Sequence, residues 1–195
     1  FEGHTIIPVV KQFIEANKVK EFTVVADAAM ISTENVKQLI QNNINYIVGA
    51  RLGNIPSVLL ENIDKNISRE EGKSIRIKTD NGYLICSYSS VRYRKDLYEM
   101  NKQIEKARQV IQNPSKGKKL KFTKTNNYQL QINEELIEKT KKLLGIKGYY
   151  TNLEESVAEN KMIIERYHEL YKIEQAFRIS KSDLQTRPIF HFKEQ

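Results

Sequence analysis

Two short runs with no polar face set the first constraint on this chain. Phe22-Thr23-Val24-Val25-Ala26-Asp27 and Tyr46-Ile47-Val48-Gly49-Ala50 are apolar at consecutive positions and rich in β-branched and aromatic residues. A strand of this kind needs cover on both faces, which is the situation of a parallel sheet flanked by helices. Both runs are therefore predicted as strands buried on both faces. Ile6, Val9, Val10, Phe13 and Ile14 recur at helical spacing ahead of the first run, with Pro8 tolerable in a first turn. Between the runs, Ser32-Thr33-Glu34-Asn35 offers helix-start chemistry before Val36, Leu39 and Ile40. Phe1 to Thr5 reads as the tail of a strand. Helix, strand, helix, strand is an α/β layout with parallel pairing.

The pattern changes after Arg51. Ser74 to Lys78 alternates, Asn81-Gly82 signals a hairpin, and Tyr83 to Tyr88 continues as a strand. Leu97, Met100, Ile104 and Ala107 mark a charged amphipathic helix running to about Asn113. Pro114 to Asn127 reads as a basic loop, Asn127 to Ile132 as a short strand, and Glu134 to Leu144 as a helix that Gly145 ends. Residues 51–146 are thus expected to form an insertion of mixed, β-containing character. It separates a first core segment, 1–50, from a second, 147–195. Tyr149-Tyr150-Thr151-Asn152 returns to a buried strand, and Glu154 and Glu155 suit the start of one long helix.

That last helix carries the most informative irregularity. Ile163, Tyr167, Leu170, Glu174, Phe177 and Lys181 recur at steps of four and three, the line along which a helix meets a core. Glu174 occupies a position where an apolar residue is expected. Tyr167 and Lys181 lie seven residues to either side and project from the same face. A carboxylate there is either paired, with Arg178 at i+4 or Lys181, or working. Asp27, at the end of the most apolar strand, has the same two readings. It turns the chain into Ala28-Ala29-Met30, or it sits in the crevice that opens at the carboxyl ends of strands. Two such acids are suitable ligands for hard divalent cations. A pair of Mg²⁺ ions about 4 Å apart would activate an attacking oxygen and stabilise a leaving one on a phosphodiester. Lys181 and Arg178 would then lie where a phosphate backbone passes, with Tyr167 against the nucleic acid.

Composition narrows the alternatives. Lys and Arg exceed Asp and Glu by eight, with a pI near 9.4, which favours a polyanionic partner. The single cysteine, Cys86, rules out an internal disulfide, fits a reducing cytoplasm, and reads as a small buried hydrophobe. No apolar run approaches membrane-spanning length. His4, His168 and His191 lack metal-ligand spacing, and neither a Walker A loop nor a G-x-S-x-G elbow occurs. The cluster Lys116, Lys118, Lys119, Lys121 and Lys124 is either a phosphate contact or a solvated loop, as are Arg92, Arg94 and Lys95 beside Tyr88 and Tyr93.

Taken together, several segments resemble insertion-sequence DDE transposases of the IS-four superfamily, most closely its IS-sixteen-thirty-four branch. They are Phe1-Glu2-Gly3, Val24 to Met30, Tyr46 to Arg51, Gly148 to Asn152, and Tyr167 through Tyr171-Lys172-Ile173-Glu174-Gln175-Ala176-Phe177-Arg178 to Arg187-Pro188-Ile189-Phe190-His191. The resemblance implies an RNase H-like core interrupted by a β-rich insertion. It places the second catalytic aspartate at Asp27 and the catalytic glutamate at Glu174, both ligating Mg²⁺ or Mn²⁺. Tyr167 and Lys181 fit the signature helix of the superfamily as DNA-contacting residues. Leu170 stands where its arginine would be, and Arg178, one turn beyond the glutamate, is the candidate substitute. The first catalytic aspartate would lie on an opening strand upstream of Phe1, so the chain is expected to be a C-terminal part of a transposase, inactive alone. The implied partners are the ends of a mobile DNA element and its target, gripped by a cytoplasmic homodimer. The alternative is a non-catalytic remnant that binds DNA or interferes with dimers.

Overall fold

Strands and helices alternate through the first fifty residues as the apolar runs require. In the computed structural model, which describes residues 6–19, 22–28, 32–112, 120–126 and 129–182, the order is α1 (Ile6–Asn17), β1 (Thr23–Ala26), α2 (Thr33–Gln41) and β2 (Asn45–Ala50). The expected strand at Phe1 to Thr5 lies outside the described residues. Ser32 caps α2, its hydroxyl accepting the Asn35 N–H at 3.1 Å, and Glu34 adds an acid to the first turn. β1 and β2 pair in parallel, Thr23 opposite Asn45 through Ala26 opposite Val48.

The chain continues through α3 (Ser57–Asn66), β3 (Ser74–Thr79), β4 (Gly82–Tyr88), α4 (Ser90–Gln112), β5 (Thr123–Asn126), β6 (Gln129–Ile132), α5 (Glu134–Lys142) and β7 (Ile146–Thr151). It ends its described part with α6 (Asn160–His168) and α7 (Leu170–Ser182). One mixed sheet has the strand order β1-β2-β7-β4-β3, and β5 and β6 form a separate antiparallel hairpin. The fold is mixed α/β. β2 buries Tyr46, Ile47 and Val48 as expected, but in β1 only Ala26 is buried and Thr23, Val24 and Val25 are half-covered. The expectation of a doubly buried strand is not met there: among the described residues β1 is at the sheet edge, paired with β2 alone.

The chain divides into two compact units, residues 49–151 and the remainder. In the first, β4 is the central partner, antiparallel to both β3 and β7. The Asp80-Asn81 turn precedes Gly82, whose φ of 121° supplies the conformation that a side chain disfavours. Leu60, Ile63 and Ile67 of α3 and its following residue pack with Leu84, Cys86 and Ile146. The sequence reading missed α3, although Pro56 and the spacing of Leu60, Ile63 and Ile67 mark it. A second cluster joins Met100 and Ala107 of α4 to Phe122, Ile137 and Leu144. β5 corrects the reading of 114–127 as loop throughout, because Phe122 is fully buried and draws Thr123 into a strand. Residues 113–119 and 127–128 lie outside the described set. Asn133 caps α5 by accepting the Leu136 N–H at 3.1 Å. Gly145 ends that turn at φ 77°. Arg69 donates to the carbonyls of Lys142 (2.9 Å) and Leu144 (3.2 Å) while pairing with Asp64 at 2.8 Å.

In the other unit, Asn152 extends the backbone pairing of β2 with its side chain, accepting the Tyr46 N–H at 3.0 Å and donating to the Ile44 carbonyl at 3.1 Å. The expected single long helix is two. Residues 155–158 are turn and bend, α6 starts at Asn160, and the helix is interrupted at Glu169. No Pro or Gly lies near the interruption. The change coincides instead with loss of cover, since α6 buries Ile163 and Tyr167 whereas Tyr171, Ile173 and Ile179 of α7 are exposed. Among the described residues no helix is long and apolar enough to cross a membrane.

Candidate functional site

Asp27 follows β1 directly, so the strand fixes where its carboxylate emerges. The side chain is exposed, and its Oδ1 accepts two hydrogen bonds, from the Ala28 N–H at 2.6 Å and from the Tyr167 hydroxyl at 3.2 Å. It turns the chain through Ala28, and it also faces a residue 140 positions away in sequence. Tyr167 is only 8% exposed, with its ring inside the unit and its hydroxyl directed at the acid. Neither of these bonds uses the Oδ2 oxygen.

The helix break separates residues that spacing alone had set together on one inward face: Tyr167, Glu174 and Lys181. In the structure Tyr167 is buried on α6, whereas Glu174 is exposed on α7, because the interruption at Glu169 lies between them. Arg178 is exposed on the same helix as Glu174. Lys181 belongs to α7, but its side chain lies outside the described residues. Leu170 is half-buried at the start of α7. Of the site residues read from the sequence, the structure therefore joins Asp27 to Tyr167 by a direct bond.

The divalent ions that the resemblance implies need more donors than the structure gathers in one place. Among the described residues no group of three or more His, Cys, Asp or Glu is placed to hold a metal ion. Asp27 and Glu174 are two acids, so these residues do not by themselves make the ligand shell of a paired-metal site.

Glu61, Glu71 and Cys86, all in the unit spanning 49–151, have displaced proton affinities. Lys142 hydrogen-bonds Glu61 and holds its carboxyl below the usual range. Hydrogen bonds from Ser90 do the same for Glu71, whose Oε2 accepts the Ser90 N–H at 2.6 Å at the start of α4. Burial pushes the Cys86 thiol up to about 12, which excludes it as a nucleophile. A cavity of about 350 Å³ lies between the β1–β2 face and α6, lined by Val25, Ile47, Leu153, Met162 and Ile163, with Arg166 among its walls. Asp27 is not among its lining residues. The bridging role of Asn152 was missed in the sequence, where an Asn just after a strand run was its one signal.

Comparison with known proteins brings in no relative: no protein-family model, no curated protein and no solved structure matches the chain.

Proposed function

We propose that this chain is part of a DDE-type transposase whose longer form cuts DNA at the ends of a mobile element and joins it to a target, acting as a homodimer on paired ends. The observation that carries the reading is the hydrogen bond between Tyr167 and Asp27. These residues come from two separate segments that the resemblance singles out, and their contact is what a common site requires. In this reading Asp27 is the acid whose orientation the Ala28 N–H and the Tyr167 hydroxyl fix. Glu174 is the second acid, and Arg178 and Lys181 meet the DNA backbone. Mg²⁺ or Mn²⁺, when bound, would supply the electrostatic stabilisation of the attacking and leaving oxygens.

The place of β1 at the end of the strand order among the described residues supports the finer fold reading, an RNase H-like core extended by further strands. Thr23-Val24-Val25-Ala26 carries no charge, whereas the opposite edge strand, β3, carries Arg76 and Lys78. Edge strands that face solvent are normally guarded by such charges, and an apolar parallel strand is normally interior. β1 has the composition of an interior strand at an edge position.

The test is cleavage of labelled element-end DNA by the longer protein in Mg²⁺ or Mn²⁺. Asp27→Asn and Glu174→Gln are each expected to abolish cleavage while leaving DNA binding in place. Cleavage by either variant at the parent rate would refute the assignment, as would nicking by residues 1–195 alone.

A further inference from the structure

The two units differ in charge. Residues 49–151 carry 21 Lys and Arg against 11 Asp and Glu, while the remainder carries 11 against 13. The chain's positive balance therefore belongs wholly to one unit, and its longest helix carries six of the 21 basic residues against three acids. α4 has 23 residues, about 34 Å at 1.5 Å per residue. Its inward stripe, Leu97, Met100, Ile104 and Ala107, faces the cluster around Phe122. The opposite stripe runs Lys95, Tyr98, Lys102 and Lys106, all exposed and in steps of three and four.

Tyr98 is 64% exposed, and the Lys102 ammonium lies 5.8 Å from its ring centroid. A large aromatic in that position contributes little to the core. It sets an aromatic ring and an ammonium against each other on the surface. Lys95 and Lys106 make no ion pair among the described residues, and Arg94 flanks the stripe. Glu99 and Glu105 are exposed at its margins and leave the face with a positive surplus. The complement of such a row is an array of closely spaced negative charges. A duplex presents one charge per about 1.7 Å of axis, so the span from Lys95 to Lys106 would lie against about ten of them.

We propose that the outward face of α4, centred on Lys95, Tyr98, Lys102 and Lys106, binds the phosphate backbone of double-stranded nucleic acid without regard to sequence. The lysines supply point charges, and the Tyr98 hydroxyl donates to a phosphate oxygen beside Lys102. This surface is independent of the roles assigned to Asp27 and Glu174.

The experiment titrates a fluorescent DNA duplex of about 20 bp with the full chain in EDTA, across about 50 to 300 mM KCl, by anisotropy. The triple variant Lys95→Gln, Lys102→Gln, Lys106→Gln is expected to flatten the plot of log K against log salt by about 2.7, and to weaken binding at least about tenfold at the lowest salt. Tyr98→Phe is expected to weaken binding a few-fold with the slope unchanged. The charge-matched triple Lys11→Gln, Lys37→Gln, Lys161→Gln, outside this unit, is expected to keep the slope within about one of the parent. Equal losses in the two triples would overturn the proposal, because net charge alone would then explain binding. So would an unchanged slope in the α4 triple, or no salt-dependent binding by the parent chain.

Discussion

Tyr167→Phe removes the hydroxyl that bonds Asp27 while the ring keeps its packing. The bond length of 3.2 Å is long for an O–H···O contact, and its acceptor, Asp27, is exposed. A bond to a charged acceptor contributes about 1.5–3 kcal/mol when its geometry is good. Here the length and the exposure place it below that range, at about 1 kcal/mol. The assay is a double-mutant cycle in urea, with Tyr167→Phe, Asp27→Ala and the double variant compared with the parent. Asp27→Ala also removes the acceptor of the Ala28 N–H, so the single effects will differ in size, but the coupling isolates the shared bond. A coupling of about 1 kcal/mol is expected. Tyr171→Phe, at a residue 59% exposed on α7, serves as the control and should show no coupling to Asp27. Additivity of the Tyr167 and Asp27 variants within about 0.3 kcal/mol would refute the bond as the link between their segments.

Other expectations concern the unit spanning 49–151. A Cβ at Gly145 would meet Tyr88 Cε2 at 2.7 Å and Tyr93 Cβ at 2.8 Å, at a φ of 77°. Gly145→Ala should therefore cost about 3 kcal/mol in chemical denaturation, combining backbone strain with overpacking. Gly72→Ala, at φ 76° with open space around it, should cost only the strain, about 1 kcal/mol, and equal costs would contradict the packing argument. Arg69→Met removes two bonds to the carbonyls that follow α5 and should lower Tm by about 4–8 °C; an unchanged Tm would show those carbonyls to be satisfied otherwise. Cys86 should resist a thiol reagent at neutral pH in the native chain and react promptly in urea, and rapid native labelling would contradict its burial.

Local chemistry was legible wherever one residue type fixes one conformation. Ser32 announced the start of α2, Gly145 the end of the α5 turn, and the β-branched runs announced β1 and β2 in parallel. The hidden features are those that depend on neighbours. Val24 and Val25 read as an interior pair, but burial is set by strand order, which no local run encodes. The interruption at Glu169 was equally hidden. Periodicity carries the helix through 163–181 without Pro or Gly, and the break comes where packing cover ends. Asp27 and Tyr167 were each singled out in the sequence, but their contact across 140 positions was not legible there. Tyr167 is buried, with its hydroxyl on Asp27, a placement that helix periodicity does not encode.

Anomalous scattering from crystals of the longer protein soaked in Mn²⁺ bears most directly on the proposed role of Asp27. Manganese held by carboxylates of both Asp27 and Glu174, with the Tyr167 hydroxyl still on Asp27, is the expected result. Carboxylates found on opposite sides of the molecule, or manganese held by other residues while both acids stay bare, would contradict it.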